Sequence, residues 1–349
     1  MSEKKPTIND VAREAGVSKR TVSRVINGST NVGPKTLELI QQVIKRLDYS
    51  PDKQARGLAS SRSYLLGLIY DNPDALYIDQ VQRGVLDICS KKGYELVVHP
   101  CKYHSADLVK NCLSFIRRSN IDGVIVLPPV SESKDLAAAL RDAEQCYVRM
   151  ASVDLDDHTN IVVSDERAAM SEMARYIVSL GHKNIGFITG PLNYYSSIER
   201  LEGFRNTLVT LGVGLDEAMV IEGQNSYQSG LDGALHLLQL ANRPSAIFAN
   251  NDEMAAGVLK VAYQLGIKVP EQLSIAGFDD NILASRIIPS LTTIQRPVGA
   301  MASLAAHKII QSIEKNIIES VDKEFLVKPH LIIRESTSSF TIDENTNQK

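Results

Sequence analysis

The sequence predicts a multi-domain chain, with a small all-α head ahead of a larger α/β body of two similar lobes. Three observations carry this. Residues 1–63 hold twelve Lys/Arg against six Asp/Glu, so a net charge of -3 divides into +6 on the head and -9 on the rest. The first fifty residues place apolar side chains at helical spacing in three successive stretches. Beyond residue 63, short β-branched runs alternate with helical ones, and one spacing of glycines occurs twice.

The head begins with VAREAGVSKRTVSRVING, residues 11–28. Ile8, Val11, Ala12 and Ala15 fall at i, i+3, i+4 and i+7, one face of a helix. Gly16 stands where that helix must stop, because glycine tolerates the left-handed backbone of a tight turn. Ser18 can cap a second helix through its hydroxyl. With Val22, Val25 and Ile26 turned inward, Lys19, Arg20, Ser23, Arg24 and Asn27 are left facing outward. Arg and Lys hold phosphates or read guanine edges, Asn pairs with adenine, and a short Ser or Thr lets a helix approach a groove closely. The pattern is that of a helix-turn-helix.

Gly33-Pro34 then opens a third helix, with Leu37, Ile40, Ile44 and Leu47 on its inner face. Ser50-Pro51 is expected to end it. In the polar, basic stretch 50–63, KQARGLA offers a short helix with Ala55 and Leu58 on one side. The stretch reads either as a flexible linker or as this short helix, which Gly57 weakens by roughly 1 kcal/mol and which could fold on DNA, where a Leu can wedge into a minor groove.

In the body, LLGLIY, YELVVHP, IDGVIVLPP, NIGFITG, AMVIEG, SAIFAN and LSIAGF read as strands between helices, which argues for parallel sheets covered on both faces. Gly67, Gly84 and Gly93 are spaced 17 and 9 apart, and so are Gly186, Gly203 and Gly212. Each trio runs from strand to helix to helix end, so each lobe is expected to begin with the same unit. Ligands of open α/β sheets bind beyond the carboxyl ends of the strands. That rule selects Asp71, Asp154, Asn251, Asp252 and Asp279, to which Arg200 and the nearby Ser196 are added. Carboxylates, an amide and a guanidinium suit a ligand that offers several hydroxyls.

Other classes find little support. The sequence holds no GxGxxG after a strand, no GxxxxGK[ST], no GxSxG and no HExxH, so an enzyme is not expected and no catalytic residue is assigned. His99, Cys101 and His104 read as a surface turn, and no metal site is assigned. Cys89, Cys101, Cys112 and Cys146 form no CxxC pair and are expected to be buried thiols. A stand-alone sugar-binding protein would suit the body but leaves the basic head unexplained. MSEKKPTIND lacks a signal-like apolar run, and a cytoplasmic location is expected without a membrane role.

With TINDVAREAGVSKRTVSRVING, ARGLA, LGHKNIGFITGP, RLEGFRNTL, AIFANNDEMAAG, LSIAGFDD and PSLTTIQRP in order, the chain resembles the lactose/galactose repressor (LacI/GalR) family of transcriptional regulators over nearly its whole length. The resemblance implies a headpiece at 1–50, a hinge at 51–63, a periplasmic-binding-protein-like core at 64–335 and a polar tail at 341–349. The first lobe is expected to take 64–163 with 294–324 and the second 164–293 with 325–340, the chain crossing near 163, 293 and 325. It implies a homodimer on double-stranded, pseudo-palindromic operator DNA. The DNA-facing set is Thr7, Ser18, Lys19, Arg20, Thr21, Ser23, Arg24, Asn27, Asn31, Ala55 and Leu58, with Lys19 and Arg20 as the main base readers. The tail lacks the apolar heptads of a tetramerising bundle.

No cofactor is implied, only a small-molecule effector between the lobes. A carbohydrate is expected, with purine-like or phosphorylated metabolites as alternatives. By the resemblance Arg200, Asn251 and Asp279 match effector-contact positions, and Asp154 does so in the lactose branch. Asp71 and Tyr77 lie in the first-lobe ligand loop, and Asp165 borders the first crossover. Where relatives place an aromatic that stacks on a ring, this chain has Asn225, with Tyr227 two residues later.

Overall fold

The computed structural model describes residues 6–26, 32–49, 62–71, 74–314 and 325–340. The chain divides into two compact units, Met1–Tyr64 and Leu65–Lys349. In the first, α1 (Ile8–Glu14), α2 (Lys19–Ile26) and α3 (Pro34–Arg46) enclose a core of Val11, Ala12, Ala15, Val22, Val25, Ile40 and Val43. Gly16 adopts φ 63, the left-handed turn between α1 and α2. Ser18 caps α2, its Oγ accepting the Thr21 N–H at 3.2 Å. α3 stops at Arg46, before the expected Ser50-Pro51. Asp48 turns left-handed at φ 47 and the Tyr49 N–H returns to the Ile44 carbonyl, so a local backbone turn ends the helix ahead of the proline. The expected hinge positions Ala55 and Leu58, together with Asn27 and Asn31, lie outside the described residues, as does the tail from 341.

The second unit contains two six-stranded sheets. The first is built from β1 (Leu65–Tyr70), β2 (Glu95–Pro100), β3 (Gly123–Val126), β4 (Cys146–Ala151), β5 (Ile161–Ser164) and β11 (Leu326–Val327), in the order β11-β5-β4-β3-β1-β2, all parallel. The second holds β6 (Ile185–Thr189), β7 (Val220–Glu222), β8 (Ala246–Ala249), β9 (Ser274–Asp279), β10 (Thr292–Gln295) and β12 (His330–Ile332), in the order β12-β10-β9-β8-β6-β7. Only β12 runs antiparallel to its neighbour among these described strands.

The lobes begin alike, β1 leading to α4 (Ala75–Lys92) and β6 to α8 (Tyr195–Thr210). Between them in the chain come α5 (Leu108–Arg118), α6 (Lys134–Asp142) and α7 (Glu166–Ser179). After α8 follow α9 (Tyr227–Leu238), α10 (Asp252–Gln264) and α11 (Val298–Glu314). The glycine spacing has a packing cause. A Cβ at Gly84 would run into the Gly299 carbonyl of α11, and one at Gly203 would run into the Arg167 backbone of α7. Each mid-helix glycine thus lets a helix cross its neighbour at backbone distance. Phe187, Phe204, Phe248 and Phe278 fill the second core, each at 0% exposure, where burying one such side chain contributes ~1.5–3 kcal/mol.

The chain passes between sheets three times, each within two residues of the expected 163, 293 and 325: β5 stays in the first sheet through Ser164. β10 stays in the second sheet through Gln295, past the expected 293. Leu326 and Val327 pair with Val163 and Ser164 in the first sheet, so the last crossing follows Val327 instead of 325. In each case strand pairing holds the chain on its sheet to the last paired residue. His182 of LGHKN is buried at 2% exposure, its ring nitrogens meeting Ser245 Oγ at 2.9 Å and Ser274 Oγ at 3.0 Å. It links the starts of the adjacent strands β8 and β9.

Candidate functional site

The headpiece presents one polar face on α2. Lys19, Arg20 and Arg24 are exposed while Val22 and Val25 of the same helix are buried. Ser18 and Thr21 spend their hydroxyls on each other at 2.9 Å, and Ser23 is half-buried. Thr7 is exposed ahead of α1, its N–H and hydroxyl both donating to the Asp10 carboxylate, which those bonds hold below its usual range. A cationic helix edge backed by a small core can enter a DNA groove without exposing apolar surface.

In the second unit a cavity of about 150 Å³ lies between the carboxyl ends of the two sheets. Six of the eight expected effector residues line it: Asp71, Tyr77, Ser196, Arg200, Asn251 and Asp279. Arg200, Arg296 and Asp279 on its wall are joined through Glu166 behind them into a chain of alternating charges. Arg200 Nε donates to Glu166 Oε2 at 2.7 Å, and its Nη1 donates to the Asn250 carbonyl at 2.5 Å. Glu166 also meets Arg296 at 3.2 Å, and Arg296 meets Asp279 at 2.7 Å. The Arg200 guanidinium lies 3.7 Å from the centre of the Phe278 ring, and that of Arg296 lies 4.8 Å from the Tyr77 ring.

Burial works to push the Glu166 carboxyl up, but the two guanidiniums and their hydrogen bonds hold it below its usual range. Burial pushes Asp279 up against the pull of Arg296 and Arg200. Asp279 also sits at φ 106, a conformation uncommon for anything but glycine, so the strand end is held in strain at the cavity wall. Burial pushes the Tyr77 hydroxyl up to about 12, which keeps it a neutral donor.

Two expected residues are not brought to the cavity. Asp154 is exposed and pairs with His158 at 3.3 Å, because three residues of turn carry it past the end of β4. Asp165 caps α7, its Oδ1 accepting the Ala168 N–H at 3.1 Å. Asp252, also picked by the strand-end rule, is fully buried beneath the site, where it accepts from Thr293 Oγ1 at 2.6 Å and the Asn281 N–H at 2.9 Å.

Sequence reasoning missed Arg296, Asp74, Tyr194 and Gln224, all on the cavity wall. Arg296 directly follows β10, so the strand-end rule applied to that strand finds it. Asp74 caps α4 by accepting from the Leu76 and Tyr77 N–H groups at 2.9 and 3.1 Å. Asn225 lines the cavity, its Oδ1 accepting from Asn250 Nδ2 at 2.7 Å, whereas Tyr227 does not; the aromatic surfaces come from Tyr77 and Tyr194. His99 stacks on Phe115 at 4.4 Å, and no group of three or more metal-ligating side chains occurs among the described residues. Nor is any described helix long and apolar enough to cross a membrane.

A helix-turn-helix headpiece ahead of a two-lobed ligand-binding core defines a ligand-responsive DNA-binding regulator. Residues 7–52 match the model of bacterial regulatory proteins of the lacI family, and residues 174–337 match a periplasmic binding protein-like domain. The chain is 31% identical over 336 residues to catabolite control protein A of Priestia megaterium, covering 95% of this chain and 99% of that protein. It is 32% identical over 337 residues to the transcriptional regulator DegA of Bacillus subtilis, covering 96% and 98%. Among solved structures it is similar to the lac repressor dimer bound to operator and the anti-inducer ONPF, with a TM-score of 0.75, 25% identity and coverage of 96% and 100%. A second is the complex of the transcriptional regulator CelR with cellobiose, with a TM-score of 0.70, 27% identity and coverage of 95% and 99%. The chain belongs to the lacI family of DNA-binding transcriptional regulators.

Proposed function

We propose that the protein is a cytoplasmic homodimeric repressor, neither an enzyme nor cofactor-dependent, whose hold on a pseudo-palindromic operator is set by a small sugar bound between the core lobes. The observation that carries this is the cavity with its Arg200–Glu166–Arg296–Asp279 chain of charges. Both arginines already hold carboxylate partners, so the wall offers hydrogen bonds without an uncompensated positive charge. An uncharged polyol suits that wall better than a phosphate ester. The cellobiose complex of CelR supports the same ligand class.

The DNA side of the proposal rests on Lys19, Arg20 and Arg24 along α2, with Thr7, Ser18, Thr21 and Ser23 beside them. Asn27, Asn31, Ala55 and Leu58 join by the family resemblance. Replacing Arg200 with Ala tests the coupling. Operator binding in gel shifts at constant salt is expected to persist while the response to the sugar is lost. A retained response would remove Arg200 from the site. A thermal-shift screen of the full chain against neutral sugars, sugar phosphates and purines identifies the class. Stabilisation by phosphates or purines alone would contradict it.

A further inference from the structure

α8 carries Ser196 and Arg200 to the cavity, yet its own sequence leaves its head uncapped. Its N-cap is Tyr194, which makes no side-chain cap bond, and its first turn holds no acidic residue. The first N–H groups of a helix need acceptors, and its positive end favours a carboxylate. The acceptor here comes from the other lobe. Glu132, in the short 3₁₀ turn after β3, is 7% exposed and accepts the Tyr195 N–H through Oε2 at 3.2 Å. Two neighbouring contacts cross the same gap. Tyr103 meets the Tyr194 ring edge-on at 6.1 Å, and His104 Nε2 lies 3.4 Å from Asn193 Nδ2. The Tyr103 N–H in turn donates to Asp71 on the cavity wall at 2.8 Å.

We propose that Glu132 is a positioning residue that clasps the two lobes, capping α8 from across the cleft and coupling lobe closure to its own protonation. The groups facing it are Arg149 on β4, Glu166 at the head of α7, Tyr103 before α5, and Tyr194 and Tyr195 at the head of α8. Arg149 is already held by the Ser131 carbonyl at 2.6 Å and by Asp156 at 3.1 Å. Burial, with the Glu166 charge adding to it and the Tyr195 bond opposing, pushes the Glu132 carboxyl up to about 7. Lobe separation hydrates the carboxyl and returns it toward its ordinary range. The closed arrangement therefore binds the proton more tightly, so closure is most favoured below the ordinary 4.5, weakens as pH rises from there to about 7, and changes little above that. The clasp concerns the two lobes themselves and does not rest on the effector reading above.

The test is the distance between spin labels carried by unnatural amino acids at exposed Lys110 on α5 and Val209 on α8, in the full-length protein without ligand. From about pH 6 to about pH 8 the closed-to-open ratio is expected to fall about tenfold in the parent. It should become independent of pH in Glu132→Gln, which keeps an acceptor and cannot ionise. Glu132→Ala should open the lobes at both pH values, and His104→Gln should keep the parent's pH response. A parent ratio that does not move, or a Glu132→Gln ratio that moves as the parent's does, would overturn the proposal. Because no ligand is added, that failure is distinct from a cleft that binds no sugar.

Discussion

Glu166 is the residue on which the cleft turns, because one fully buried carboxylate satisfies two buried guanidiniums from different segments. Replacing it with Ala leaves Arg200 and Arg296 partly uncompensated, and removing one partner of such a pair destabilises by ~3–5 kcal/mol. Chemical denaturation of the core should show that loss, whereas a change below about 1 kcal/mol would mean the pairs are dispensable. Its pH dependence has a definite sign. The Glu166 carboxyl is held below its ordinary 4.5, so the stability it contributes is complete above that value and disappears as pH falls through the lowered one. The thermal midpoint of the parent should therefore drop on acidification below about 4.5, and Glu166→Gln should flatten that drop. The strand-end rule found Asp71, Asn251 and Asp279 because their strands end cleanly against the cleft. It also picked Asp154, which lies outside the cavity, as does Asp165, expected from its place beside the first crossover. Asp165 caps a helix, a role the sequence does not separate from ligand contact. Glu166 itself gave no signal, since a Glu in the first turn of a helix is ordinary.

Among the elements, the paired units β1–α4 and β6–α8 were legible because a glycine is demanded twice for one reason, the close crossing of a neighbouring helix. Gly203→Ala should place a methyl against the Arg167 backbone and cost about 1–3 kcal/mol, read as a lowered thermal midpoint. An unchanged midpoint would remove the packing account of the repeat. The end of α3 was not legible in the same way, because a left-handed Asp48 stops the helix before the proline that signals a boundary. On α2, Lys19→Ala and Arg20→Ala should each weaken operator binding. A residue that reads a base should cost ~1–3 kcal/mol and relax specificity at one position, while a phosphate contact should lower the salt slope by about one. Gel shifts over a salt series separate the two outcomes, and no effect from either substitution would exclude α2 as the reading helix.

For the whole molecule, the division of charge anticipated the division of labour. A basic head and an acidic body favour contact with a polyanion through the first unit, and there the lacI-family match falls, while the periplasmic binding protein-like match falls on the second. The crossings were expected near 293 and 325, and the strands run on to Gln295 and Val327, because strand pairing, a long-range event, decides the residue at which the chain leaves a sheet. Coupling between the units requires the ligand to bind two arrangements of the lobes with different affinity. The most direct measurement is the affinity of the full-length protein for a genomically selected DNA fragment over random duplex, at one moderate salt concentration, with and without the stabilising sugar. A preference of about a thousandfold or more is expected, and the sugar should shift it in one direction. Equal affinity for selected and random DNA, with the sugar or without it, would contradict it.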